Sequence, residues 1–199
     1  FAQNPGRSVV EKKHRLVWTV KARFLWLISS IISLFVNKEK ALLVAIKILA
    51  PIDSLLKEII VILAKIKMYV FHSDVVVIGV AGSWGKTTAK ETLVALARTH
   101  LKTSATKGNN NTIMGVALTV LRLPLNTQVF VCEMDAFYEG EILEVCRMIK
   151  PRIGLLTAIG PMHLERFDND MKALERSQFE LLHALPTDGL GCFPKVFES

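Results

Sequence analysis

The chain reads as an α/β protein, a P-loop-containing, mostly parallel sheet flanked by helices, preceded by a helical, basic, apolar N-terminal segment. Three observations predict this. From Val75 onward, short β-branched runs alternate with helical patterns, as in strands joined by crossover helices. The first of these runs leads directly into a glycine loop ending in Gly-Lys-Thr and then into a helix. The charge is also split by position. The 199 residues hold 25 Lys and Arg against 18 Asp and Glu, a net +7. Residues 1–74 hold twelve bases and five acids, so residues 75–199 hold thirteen of each and are neutral. This places a boundary between 1–74 and 75–199.

The N-terminal elements come first. Leu16–Val36 is apolar, but its uncharged part, Phe24–Val36, is 13 residues, where a spanning helix needs roughly 20. Extending it back to Leu16 brings in Lys21 and Arg23, which could snorkel toward an interface. Ala41–Ile52, interrupted by Lys47 and Pro51, and Leu55–Phe71, carrying Lys57, Glu58, Lys65 and Lys67, read as two basic amphipathic helices. Such helices lie on an anionic membrane surface or form an ordinary helical layer, and the sequence leaves both readings open. A secretory signal fits less well, because the apolar run sits late and lacks a small-x-small cleavage site.

The α/β elements follow in order. VVVIGV (75–80) is a buried parallel strand, AGSWGKTT (81–88) the loop and Ala89–Thr99 a helix. Lys102–Ala105 reads as a short strand, TKGNNN (106–111) as a polar turn and Thr112–Leu121 as a helix. QVFVCE (128–133) is a strand ending on an acid. Glu139–Ile149 is a helix that stops before Pro151, and RIGLLTA (152–158) is a further strand. Asp168–Ala184 is a helix that ends at Leu185-Pro186.

Composition excludes some functions. With 51% hydrophobic and 22% charged residues the chain is not disordered. Its second part has no basic excess for a nucleic-acid partner. Three cysteines, Cys132, Cys146 and Cys192, form neither a disulfide framework nor a zinc pattern, and this fits a reducing, cytoplasmic compartment.

The loop carries the chemistry. Gly82 and Gly85 allow a tight turn whose N–H groups face phosphate oxygens, and the helix that follows adds its positive end. Lys86 would bridge β- and γ-phosphates, and Thr87 would place a hydroxyl on Mg²⁺. The generic pattern G-x-x-x-x-G-K-[ST] wants glycine at Val80, and here the glycine, Gly79, comes one residue early. Glu133 ends a strand on the same edge, as a magnesium ligand or as a plain strand-terminal carboxylate. His163 follows the next strand, as a structural histidine or as a ligand for metal or phosphate.

Four segments resemble the Mur ligase family in the family's order: GVAGSWGKTTAKE (79–91), TKGNNNTIMGVALTVL (106–121), EMDAFYEGEI (133–142) and PRIGLLTAIGPMHLERF (151–167). The family's loop begins where Gly79 stands. The resemblance implies an ATP-dependent ligase in peptidoglycan precursor synthesis, forming an amide through an acyl phosphate. Its partners would be a UDP-muramoyl peptide-like substrate and an amino acid or dipeptide. It implies that Gly82, Ser83, Gly85, Lys86, Thr87 and Thr88 hold ATP, with Asn109 and Asn111 contacting nucleotide or acceptor. Thr87 and Glu133 would bind one Mg²⁺ and His163 a second, and Lys86 and His163 would act in catalysis.

Three departures accompany the resemblance. Gln178 stands where the family has a carbamoylated lysine, and glutamine carries no carbamate, so a ligand to the second metal is lost. Asp135 stands where the family has glycine. The family's central domain runs on beyond the length seen here, which implies a chain continuing past Ser199. Two other classes stay open: a non-catalytic ATP-binding relative anchored by its N-terminal helices, and a different P-loop NTPase. The N-terminal charge suggests a site at the inner face of the cytoplasmic membrane.

Overall fold

The structure, a computed structural model, describes residues 20–34, 37–108, 110–162 and 164–195. Two helices open the described chain, α1 (Val20–Ile32) and α2 (Lys38–Phe71). The two stretches expected, Ala41–Ile52 and Leu55–Phe71, form one 34-residue helix with Pro51 inside it. An interior proline removes one i→i−4 hydrogen bond and crowds the preceding turn, at a cost of about 3 kcal/mol. The apolar rhythm nevertheless stays in phase across it, with Ile48, Ile52, Leu55, Ile59, Ile62 and Ile66 spaced by four and three. That stripe is exposed, as are Phe24, Leu27 and Ile31 of α1. Among the described residues no helix is long and apolar enough to cross a membrane.

By its internal contacts the chain forms two compact units, Phe1–Leu55 and Leu56–Ser199. The second half of α2 therefore packs with the α/β part. Its inner residues Ile60, Val61, Ala64 and Met68 join the main apolar core. Lys67 Nζ donates to the carbonyls of Leu121 and Leu123 at 2.9 and 2.8 Å. It thereby satisfies carbonyls at the end of α4 (Ile113–Leu121), where a cation is favoured.

Among the described residues the sheet has five parallel strands: β1 (Val76–Ala81), β2 (Thr103–Ala105), β3 (Val129–Glu133), β4 (Ile153–Leu156) and β5 (Leu190–Cys192). Their spatial order is β2-β3-β1-β4-β5. The strand β5 was not expected. It is three exposed residues after a turn, too short to leave an apolar signature. Helices cover both faces, as the near-continuous apolar runs require. On one face α3 (Lys86–Arg98) sets Ala89, Leu93, Val94 and Ala97 against Val80, Val129 and Val131. On the other, α4, α5 (Glu141–Ile149) and α6 (Met171–His183) pack over Val77, Phe130, Cys132 and Leu156. Burying each such large apolar side chain stabilises the fold by about 1.5–3 kcal/mol.

Gly79 lies inside β1, facing α6. A β-carbon there would stand 2.5 Å from Leu181 Cδ1 and 2.9 Å from Met134 Cε. The early glycine of the motif is thus fixed by helix–sheet packing, and the turn itself starts at Gly82.

Candidate functional site

The site gathers at the C-terminal ends of β1, β3 and β4, where open parallel sheets bind ligands. Gly82 leaves β1 at φ +129°, and a β-carbon there would meet Thr157 Oγ1 at 2.2 Å. No L side chain fits both the dihedral and the space. Ser83 and Trp84 donate their N–H groups to the Ala158 carbonyl, at 2.8 and 3.1 Å, which ties the loop to the segment after β4. The Ser83 hydroxyl is engaged by Gly160, donating to its carbonyl at 2.9 Å and accepting from its N–H at 3.0 Å. Gly85, left-handed at φ 83°, is the N-cap of α3, and no side chain caps that end. The first-turn N–H groups at residues 86–88 therefore face outward with the positive end of the helix.

Lys86 is buried and folds back over the loop. Its Nζ donates to the Gly82 carbonyl at 2.6 Å and the Ser83 carbonyl at 3.4 Å. It also lies 3.3 Å from Asp135 Oδ2. Thr87 and Thr88 are exposed. Thr87 Oγ1 donates to Glu133, 3.1 and 3.3 Å from its two carboxylate oxygens. Glu133 is buried at the end of β3, and its N–H donates to Thr106 Oγ1 at 2.9 Å. Its Oε2 pairs with Lys90 Nζ at 3.1 Å. Lys90 stands one helical turn past Lys86 and is 1% exposed. Beside Glu133, the Cys132 thiol is pushed well above its ordinary range by burial, then by Cys146 and Glu133.

The structure thus brings together Gly82, Gly85, Lys86, Thr87 and Glu133, and it adds groups that sequence reasoning missed. Lys90 had no signal beyond its helical spacing from Lys86. Thr106 sat unremarked inside TKGNNN. The two departures from the family pattern both converge on the loop. Asp135 takes the Lys86 ammonium, and Gln178 Oε1 accepts the Gly82 N–H at 2.7 Å. Asn111 reaches the edge of the site through its carbonyl, which accepts the Asp135 N–H at 3.0 Å. Asn109 and His163 lie outside the described residues. Around the site, Glu141 accepts the N–H groups of Phe137 and Tyr138, and Glu180 those of Gly140 and Leu143. These contacts fix the segment that carries Asp135.

Thr87 and Glu133 offer a hydroxyl and a carboxylate, hard oxygen donors of the kind Mg²⁺ takes as one or two protein ligands. With one Glu133 oxygen tied to Lys90, the other and the Thr87 oxygen remain for a cation.

A parallel sheet with a glycine loop running from its central strand into a helix defines a nucleotide-binding class of α/β domain. Residues 80–195 match the family described as the Mur ligase middle domain, and the chain belongs to that family. It is similar to the UDP-N-acetylmuramoyl-tripeptide–D-alanyl-D-alanine ligase of Bacillus subtilis (strain 168), 35% identical over 124 residues, which are 62% of this chain and 27% of that enzyme. It also resembles two solved structures. One is the MurF ligase of Thermotoga maritima in complex with ADP, with a TM-score of 0.64 and 29% identity, covering 69% of this chain and 31% of that one. The other is MurF from Acinetobacter baumannii, with a TM-score of 0.64 and 27% identity, covering 70% and 30%. The chain spans less than a third of the length of these relatives.

Proposed function

We propose that this chain binds ATP with Mg²⁺ at the loop of residues 82–88 and serves the phosphoryl-transfer half of an amide ligase in peptidoglycan precursor synthesis. The observation that carries this is the Lys86–Thr87–Glu133 constellation at the N-terminus of α3. The family membership and the MurF likenesses support it. In the reaction, a substrate carboxylate oxygen bonds to the γ-phosphorus and the bond to the bridging oxygen breaks, releasing ADP. An amine nitrogen then attacks the acyl carbon. The C–O bond to phosphate breaks, the amine loses a proton, and an amide and free phosphate remain.

Each residue has a part in this. The outward N–H groups of residues 86–88 bind phosphate oxygens, and Lys86 trades its contact with Asp135 for the β- and γ-phosphates. Thr87 and Glu133 would hold a Mg²⁺ ion, which would supply positive charge to offset that on the transferred group. Lys90 holds Glu133 in place through their ion pair. Ser83 and Thr88 shape the loop around the triphosphate. Asn109 and Asn111 contact nucleotide or acceptor, and His163 takes a second cation.

The substrates we infer are a UDP-muramoyl tripeptide and D-alanyl-D-alanine, in the cytoplasm. The basic apolar N-terminal segment, through the residues that do not join the α/β core, contacts the inner face of an anionic membrane, which binding to anionic vesicles across a salt series tests. For the nucleotide, binding of labelled ATP is measured with and without Mg²⁺, in the wild-type chain and in Lys86→Ala. Unchanged affinity in the variant refutes the loop assignment. Phosphate release with both substrates tests the ligase step. ATP binding without release, even after Gln178→Lys in a protein carrying the family's C-terminal domain, would mean a non-catalytic relative.

A further inference from the structure

At the end of the sheet away from the nucleotide loop, a cavity of about 660 Å³ opens between the C-terminal part of α2, the start of β1 and the end of α5. Three cations line it, Lys65, Arg147 and Lys150, and no acid does. Its apolar wall includes Met68 and Tyr69. Lys150 Nζ sits 5.4 Å from the Tyr69 ring centroid, a cation–π contact that holds the ammonium at the rim. His72 lines the same cavity and is 3% exposed, and neither of its ring nitrogens has a hydrogen-bond partner among the described residues. A buried imidazole without partners costs on the order of the full desolvation of a polar group.

Lys67 acts on His72 through its charge, Asp74 takes the Ser73 hydroxyl at 3.3 Å, and Glu58 and Glu144 share a neighbouring cavity with Lys65 and Arg147. Burial, and then the Lys67 charge, lower the His72 pKa. A cavity lined by three cations and no acid attracts an anion.

We propose that this cavity binds a phosphate group, held by the charges of Lys65, Arg147 and Lys150, with the buried His72 ring in its wall. The group comes either from a free phosphate compound or from a lipid headgroup, since Tyr69, Val70 and Phe71 stand exposed on the adjoining end of α2. The site is separate from the nucleotide loop and does not depend on its assignment.

The test follows the His72 ring resonances of the full 199-residue chain, assigned with His72→Gln. One arm titrates inorganic phosphate. The other titrates phosphatidylglycerol vesicles against phosphatidylcholine vesicles. The expected result is a saturable shift of His72 in at least one arm, retained in Lys86→Ala. In Arg147→Gln/Lys150→Gln its affinity is weakened about tenfold or more, as loss of charge-assisted contacts predicts. Both substituted residues are exposed, so the variant keeps its fold. A shift in the phosphate arm assigns a free phosphate compound, and a shift confined to the anionic vesicles assigns a headgroup. No shift in either arm overturns the proposal. So does a shift of undiminished affinity in the double variant.

Discussion

Replacing Lys90 with methionine keeps most of the apolar stem and removes the ammonium. The pair it breaks is among the most enclosed in the chain: Lys90 and Glu133 side chains are 1% and 4% exposed, with Nζ 3.1 Å from Oε2. At an effective dielectric near 20, two unit charges at that distance attract by about 5 kcal/mol. Removing one partner of a buried pair costs about 3–5 kcal/mol, because the other charge stays buried and uncompensated. Here the Glu133 carboxylate would keep a hydrogen bond from Thr87. The expected loss of stability is therefore about 3–5 kcal/mol, or about 6–20 °C in Tm for a chain of this size. Urea unfolding followed by circular dichroism measures it, with the slope m checked for constancy. Adding Glu133→Gln to the Lys90→Met chain neutralises the stranded charge and should recover part of the loss. A loss below about 1 kcal/mol, or a double variant no more stable than Lys90→Met, refutes the claim that the pair is held by mutual charge compensation.

Three further outcomes are expected. Asp135→Asn frees the Lys86 ammonium of a competing carboxylate, so ATP–Mg²⁺ should bind about tenfold more tightly by calorimetry; equal affinity would mean that the contact is lost at no cost. The folded pKa of His72 lies below its ordinary 6.5, so above pH 6.5 both folded and unfolded chains hold it neutral. As pH falls from 6.5 through the folded pKa, the unfolded chain binds the proton first and stability declines; His72→Gln should remove that part of the slope in denaturation at a series of pH values. Burial raises the Cys132 thiol well above its usual range and pushes Cys146 up to about 12, whereas Cys192 is exposed. A thiol reagent on the native chain should therefore label one cysteine quickly and the other two only on unfolding.

The sheet was legible because each inner strand is a short apolar run with a helix after it, and the loop because its glycines, Lys86 and Thr87 are contiguous in the chain. Contacts across long sequence separations were not legible. Gln178 meets Gly82 across 96 residues, and Thr87 meets Glu133 across 46. Asp135 and Gln178 stood out as departures, but only the fold shows that both replace outside contacts of the loop with internal ones. Lys90 was hidden for another reason. A lysine on an amphipathic helix is read as solvated, and here a strand-end carboxylate draws it inside. Pro51 signalled a break, and the helix runs through it because the apolar rhythm on either side is in register.

The place of β1 has a further consequence. It is paired along both edges, to β3 and β4, whereas β2 and β5 are three-residue edge strands. Amide exchange in such a sheet runs from the rim inward, with β5 fraying at little cost and β1 exposed to exchange only when the whole unit opens. The glycine loop is a direct extension of that slowest-opening strand. A ligand that clamps residues 82–88 therefore protects the entire α/β unit against unfolding, in proportion to the logarithm of its concentration.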